Sequence, residues 1–211
     1  MEDAKMQLLY DHYKDTFFYI QEYLKFRDRL FLFILIVVTL MLFQVYSPAE
    51  SGEAVSQFIT KKLELKSPID ITFIGSIIWF GLLSLVVRYF QTVVHIERQY
   101  KYVHQIEEQL SIHYENKAFT REGKSYLEDY PLFSSWAWIL YTIVFPTLLI
   151  VLVIVKIVGE IWQTGSISLL ISVNVAIALF IVLSTLFYLL LVHPRLLTWM
   201  REKINKRKIR N

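Results

Sequence analysis

The chain has 211 residues, 55% hydrophobic and 19% charged, where ordinary soluble domains carry about 45–50% and about 25%. That excess argues against a soluble globule. A formal charge of +3, from 22 basic and 19 acidic residues, is too small to imply nucleic-acid binding, and the lack of cysteine excludes disulfides, thiolate metal sites and thiol nucleophiles.

In residues 1–29, Leu9, Tyr13, Phe17, Ile20 and Leu24 recur at steps of three and four, which predicts an amphipathic helix leading directly into an uncharged run, Leu30 to Tyr46. Ser47 and Ala49 could pass for a signal-cleavage site. The preceding 29 residues carry six acids (Glu2, Asp3, Asp11, Asp15, Glu22, Asp28), unlike a short basic leader, so this first span, 30–46, is expected to be retained.

Residues 47–70 form a connection in which Ser47, Pro48 and Glu50 make a capping pattern, followed by Ala54, Val55, Phe58, Ile59, Leu63 and Leu65. A short interfacial helix is expected there, either covering the bundle or sensing something outside. A second uncharged run fills 71–87, with Trp79 near its middle, read as helix packing with ligand stacking as the other reading.

The periodicity continues past Arg88. Tyr89, Val93, Ile96, Tyr100, Val103, Ile106, Leu110 and Tyr114 mark the seam of a helix about 26 residues and about 39 Å long. Tyr89, Val93, Ile96, Tyr100, Val103 and Leu110 are the candidate oligomer or partner seam, shared within one subunit or between subunits. His95, His104 and His113 recur every nine residues, about half a turn out of phase each time, so they cannot converge on one metal. His104 with Glu108 offers two ligands and no evident third. The segment 88–135 closes in an elbow with Thr120 as a cap, Gly123 and Pro131 as breakers, and Phe119, Tyr126, Leu127, Tyr130 and Phe133 as anchors. These pack against the rods or dock a soluble partner.

The third span, 136–158, contains Pro146, which should free the Thr142 carbonyl and kink the helix. Near its outer end Lys156 precedes Glu160 by one turn, close enough to pair while the lysine snorkels outward. A turn at 159–166, with Gly159 and Gly165, leads into the fourth span, 167–192. There Ser168, Ser172 and Ala176 form a small-residue row beside Asn174, which is read as interhelical glue, or as pore-lining if several subunits bring copies together. Asn174, Ser172 and Pro146 are thus the candidate pore or helix-packing residues. The tail, 193–211, sets seven basic residues against one acid, Glu202. Arg201, Lys203, Lys206, Arg207, Lys208 and Arg210 are candidate ligands for anionic lipid, and direct nucleic-acid binding is not expected.

The fold class expected is all-α: a polytopic membrane protein with four transmembrane helices and a cytoplasmic helical layer extending from the first and second spans. Segments 1–29, 88–135 and 193–211 hold 18 Lys and Arg against three in the alternate connections, so both termini and the middle segment should be cytoplasmic. Tyr46 and Trp162 on one side, and Trp136, Trp138 and Trp199 on the other, suit interfacial belts. No phosphate loop, HExxH or GxSxG motif occurs, and no Asp or Glu falls within a span away from its ends. No catalytic, cofactor or metal site is therefore expected. The inner-face cluster His193, Arg195 and Trp199 keeps a lipid-modifying enzyme only as an outside reading.

This layout, four spans with cytoplasmic termini and helical extensions, resembles the small membrane subunits of bacterial antiviral systems, such as that of the Kiwa system and the four-span accessory proteins associated with CRISPR. The resemblance covers the whole chain as a layout and transfers no residue role. It implies a homo-oligomer, with a tetramer as the guess, in the bacterial inner membrane, sensing envelope disturbance and working with a cytoplasmic protein partner. The expected function is a non-enzymatic membrane sensor or anchor. The alternative is a channel or membrane-depolarising effector.

Overall fold

The computed structural model describes residues 2–62, 64, 71–112, 136, 139–165 and 168–192. The elbow, with Phe119, Thr120, Gly123, Tyr126, Leu127, Tyr130, Pro131 and Phe133, lies outside these residues. So do the basic tail with its candidate lipid ligands, the His193 cluster, His113, Tyr114, Leu63, Leu65 and Trp138.

Among the described residues every element is helical and there is no strand. In chain order they are α1 (Glu2–Tyr46), α2 (Pro48–Lys62), α3 (Ile71–Ser111), a π-helical turn (Leu140–Val144), α4 (Phe145–Thr164) and α5 (Leu169–Val192). The amphipathic segment 1–29 and the run 30–46, read as following directly on one another, form one helix of 45 residues. No Gly or Pro occurs in that stretch to break it. α3 likewise joins the second span to the following rod in 41 residues. Among the described residues the apolar helices of the third and fourth expected spans cover Leu140–Gln163 and Leu169–Val192.

Among the described residues four helices are long and apolar enough to cross a membrane. In α5 only 22% of the most apolar stretch is buried inside the protein. Leu179, Phe180, Leu183 and Phe187 stand exposed along it. In water such a surface would be a large aggregation-prone patch, whereas against lipid it costs nothing. The chain thus has the build of a multi-pass membrane protein.

The chain divides into two units, and α1 and α3 contribute to both. The first comprises residues 1–32 and 88–138. Here the two helices run antiparallel, since their contacts pair rising numbers in α1 with falling numbers in α3. His12 Nε2 lies 2.7 Å from the Tyr102 hydroxyl, and the Tyr13 hydroxyl donates to Glu107 at 3.2 Å. The Tyr23 ring sits 4.4 Å from His95, and Arg88 lies over the Phe26 ring at 5.7 Å. The seam closes inside this chain. Tyr89, Ile96, Val103, Ile106 and Leu110 are buried together with Ile20, while Val93 and Tyr100 are half-buried.

The second unit comprises residues 33–87 and 139–211 and contains the four apolar stretches. α5 turns one row inward, Ile171, Asn174, Ala178, Ile181, Thr185 and Tyr188, at the three-and-four spacing of a helix face. Ser168, Ser172 and Ala176 fall on its exposed side, so the small-residue row takes no part in packing within the chain. α4 ends at Gly165, whose φ of 63° favours a residue without Cβ, and the Gly165 N–H bonds to the Ile161 carbonyl. One turn and a half earlier, a Cβ at Gly159 would meet Val45 at 3.2 Å, so glycine permits close approach of α1 and α4.

Pro146 is buried at the start of α4. Just before it the backbone opens into the π turn, in which the Phe145 N–H reaches the Leu140 carbonyl, five residues back. Proline has no N–H with which to continue the ordinary ladder, and the wider turn accommodates that loss. Thr147 adds a hydroxyl bond of 2.7 Å to the Ile143 carbonyl.

Candidate functional site: a buried charge cluster beside a polar cavity

Glu160 is the hub of the second unit. Lys156, one turn earlier on α4, places Nζ 3.0 Å from Glu160 Oε1. Trp79 on α3 donates its indole N–H to both carboxylate oxygens, at 3.0 and 3.2 Å. Asn174 on α5 donates from Nδ2 to Oε2 at 3.1 Å. A carboxylate only accepts, which settles the orientation of the Asn174 amide. Three helices therefore converge on one acid.

The cluster is enclosed. Trp79 is 0% exposed, Asn174 1% and Lys156 5%, and the Glu160 side chain keeps 14%. Lys156 pairs with Glu160 as its spacing suggests, but it does not snorkel. Its ammonium turns inward and is covered, because the acid lies on the inward face of the same helix. α4 continues to Thr164 and holds Glu160 one turn from its end. Trp79 does pack fully, and in addition its N–H is committed to the carboxylate.

A charged side chain at the centre of a membrane helix costs about 2.5–3.5 kcal/mol on insertion scales. Pairing offsets part of that cost, and the two further donors share the carboxylate's remaining lone pairs. Among the described residues, Lys156 has Glu160 as its single partner, leaving two N–H donors of the ammonium unused.

Next to the cluster is a cavity of about 100 Å³, lined by Gln44, Pro48, Ser51, Thr72, Gly75, Lys156, Glu160, Gln163, Ile171 and Asn174. Gln44, near the end of α1, is 8% exposed, and its amide makes no hydrogen bond among the described residues. α2 opens at Pro48, and the Ser47 carbonyl accepts the Ser51 N–H at 2.9 Å. Its inward face is small and polar, Ser51, Gly52 and Ser56, while Phe58 is exposed. A second void of about 10 Å³ lies among Val38, Met41, Leu82, Val153, Trp79 and Lys156.

The remaining sites are more ordinary. His104 Nδ1 lies 3.7 Å from Glu107, too long for a hydrogen bond, and that nitrogen is buried with no hydrogen-bond partner among the described residues. The acid facing His104 is thus Glu107, rather than the Glu108 expected from i,i+4 spacing. His95 packs on Tyr23, and among the described residues no group of three metal-ligating side chains forms. Ser172 is exposed and donates to the Ser168 carbonyl at 3.1 Å.

Sequence reasoning paired Lys156 with Glu160 but read Asn174 and Trp79 apart from them, and missed Glu160 as the partner common to all three and Gln44 altogether. The available signal was that each is a polar group interrupting an apolar run, and such interruptions are affordable chiefly when they meet. No protein family, curated protein or solved structure matches the chain.

Proposed function

We propose that the protein is a non-enzymatic sensor or anchor of the bacterial inner membrane, with both termini cytoplasmic, that couples the state of the membrane's outer side to a cytoplasmic protein partner. The observation that carries this reading is that α1 and α3 each run unbroken from the apolar unit, which holds the Glu160 cluster, into the antiparallel helix pair of the other unit. A buried polar hub held by three helices is sensitive to its surroundings, and α1, which has no Gly or Pro, is stiff enough to carry a shift along its length.

The layout's resemblance to antiviral membrane subunits supports defence against phage as the setting and a homo-oligomer as the working form. With the Tyr89 to Leu110 seam closed within the chain, contacts with a partner fall to other side chains, among which Leu8, Phe18 and Tyr19 stand exposed on α1. Asn174 donates to Glu160 inside one chain, which supports its reading as a helix-packing residue over a pore-lining one.

The reading is tested by purifying the protein in nanodiscs with its cytoplasmic partners retained, and measuring subunit number and stoichiometry by native mass spectrometry. An oligomer holding a defined partner supports it. A monomer without partner, or dissipation of membrane potential by the pure protein in liposomes, overturns it.

A further inference from the structure

The polar cavity beside Glu160 contains more hydrogen-bonding capacity than the protein uses. Gln44 is more than nine-tenths buried, lines the cavity and bonds to no described residue. Lys156 offers two N–H donors beyond the one on Glu160. Asn174 Oδ1 accepts no hydrogen bond among the described residues. A buried acceptor left without a partner costs about 1–3 kcal/mol, and Asn174 Oδ1 is such an atom on the same cavity that Gln44 and the spare Lys156 donors line.

The dimensions agree with the chemistry. One water needs about 10–15 Å³ of such space and two to four polar partners, and this cavity has about 100 Å³. Its lining runs from exposed Pro48 and Gln163 to buried Gln44, Asn174 and Ile171, so it reaches the protein surface near the end of α1 and the end of α4. The small void beneath Trp79 is mostly apolar and holds at most a single water. The lining carries one cation and one anion already paired, which leaves no net charge to attract an ion.

We propose that this cavity is a hydrated cup, a binding site for water and small neutral polar solutes, that admits the aqueous phase to the Lys156–Glu160 pair. Water bridges Gln44, Lys156 and Asn174 and keeps the ion pair partly solvated within an otherwise apolar helix unit. The inference rests on the multi-pass reading and deepens the sensor proposal, because it assigns the charge pair as the element in contact with the phase outside.

The chain lacks cysteine, so single-cysteine variants report without background. Gln44→Cys and Gly75→Cys place thiols on the cup, and the Cβ added at Gly75 meets nothing within 4 Å. Pro48→Cys serves as the accessible reference, and Ile181→Cys, 0% exposed on α5, as the enclosed one. The full-length protein in sealed vesicles of known orientation is exposed to Ag⁺, an ion near water in size, added from either side. Unreacted thiols are then counted with a maleimide after denaturation.

Gln44→Cys and Gly75→Cys should react within about tenfold of Pro48→Cys, and Ile181→Cys far more slowly, since thiolates form only where water reaches. If both cup variants are as inert as Ile181→Cys while Pro48→Cys reacts, the cup is dry and the inference falls. Access solely from the cytoplasmic side would overturn the proposed orientation and leave the cup standing.

Discussion

Replacing Glu160 with Gln leaves the side chain's size unchanged and removes its charge. Three contacts change together: the ion pair with Lys156 at 3.0 Å, the indole bond from Trp79 at 3.0 Å and the amide bond from Asn174 at 3.1 Å. The largest consequence concerns Lys156, 5% exposed and then without a counter-charge. Removing one partner of a buried pair costs about 3–5 kcal/mol. Because the Glu160 side chain keeps 14% exposure and borders the cavity, the lower part of that range is expected, about 3 kcal/mol. For a chain of this size, about 2–4 °C per kcal/mol converts this to a fall in Tm of about 6–12 °C.

The assay is thermal unfolding of the purified protein in a mild detergent, followed by tryptophan fluorescence. Glu160→Gln, Lys156→Met and the double variant form a cycle. The double variant should recover much of the loss, since an apolar side chain in place of the ammonium leaves no stranded charge. Coupling below about 0.5 kcal/mol, the range of exposed pairs, would refute the argument that the cluster is a buried unit.

Further outcomes follow from packing. Gly159→Val should destabilise by about 1–3 kcal/mol in the same assay, because an added Cβ already meets Val45 at 3.2 Å and the branches beyond it would overpack. Gly165→Ala should cost about 1–2 kcal/mol through its φ of 63°, with nothing near enough to clash. Leu110→Ala, at a side chain 0% exposed, should cost about 2–5 kcal/mol and raise amide exchange across 88–111. Phe18→Ala, at 61% exposure, should stay within about 0.5 kcal/mol of the parent while weakening any partner bound there, as measured by pull-down with the purified partner.

How much was readable in advance varies from element to element. The apolar stretches near 30–46, 71–87 and 167–192 were legible because length and hydropathy are local properties. The α3 rod was legible because its seam repeats at the helical period. The run of the 1–29 helix directly into the first span was legible too, because no Gly or Pro in that stretch breaks the backbone. Pro146 announced a disturbance, but its form, a π turn between Leu140 and Val144, depends on how the surrounding helix takes up the lost hydrogen bond.

The sequence by itself determined an all-helical chain with four stretches able to cross a membrane, because apolar length, helical period and the absence of breakers act over neighbouring residues. Tertiary structure alone decided that the Tyr89 to Leu110 seam closes against α1, that Lys156 turns inward, and that Trp79, Lys156 and Asn174 share Glu160. The physical reason is that a polar group in an apolar helix has no preferred direction of its own. It points toward whichever partner the packing of other helices brings within about 3 Å, and residues 81 positions apart, as Trp79 and Glu160 are, meet only once the chain has folded.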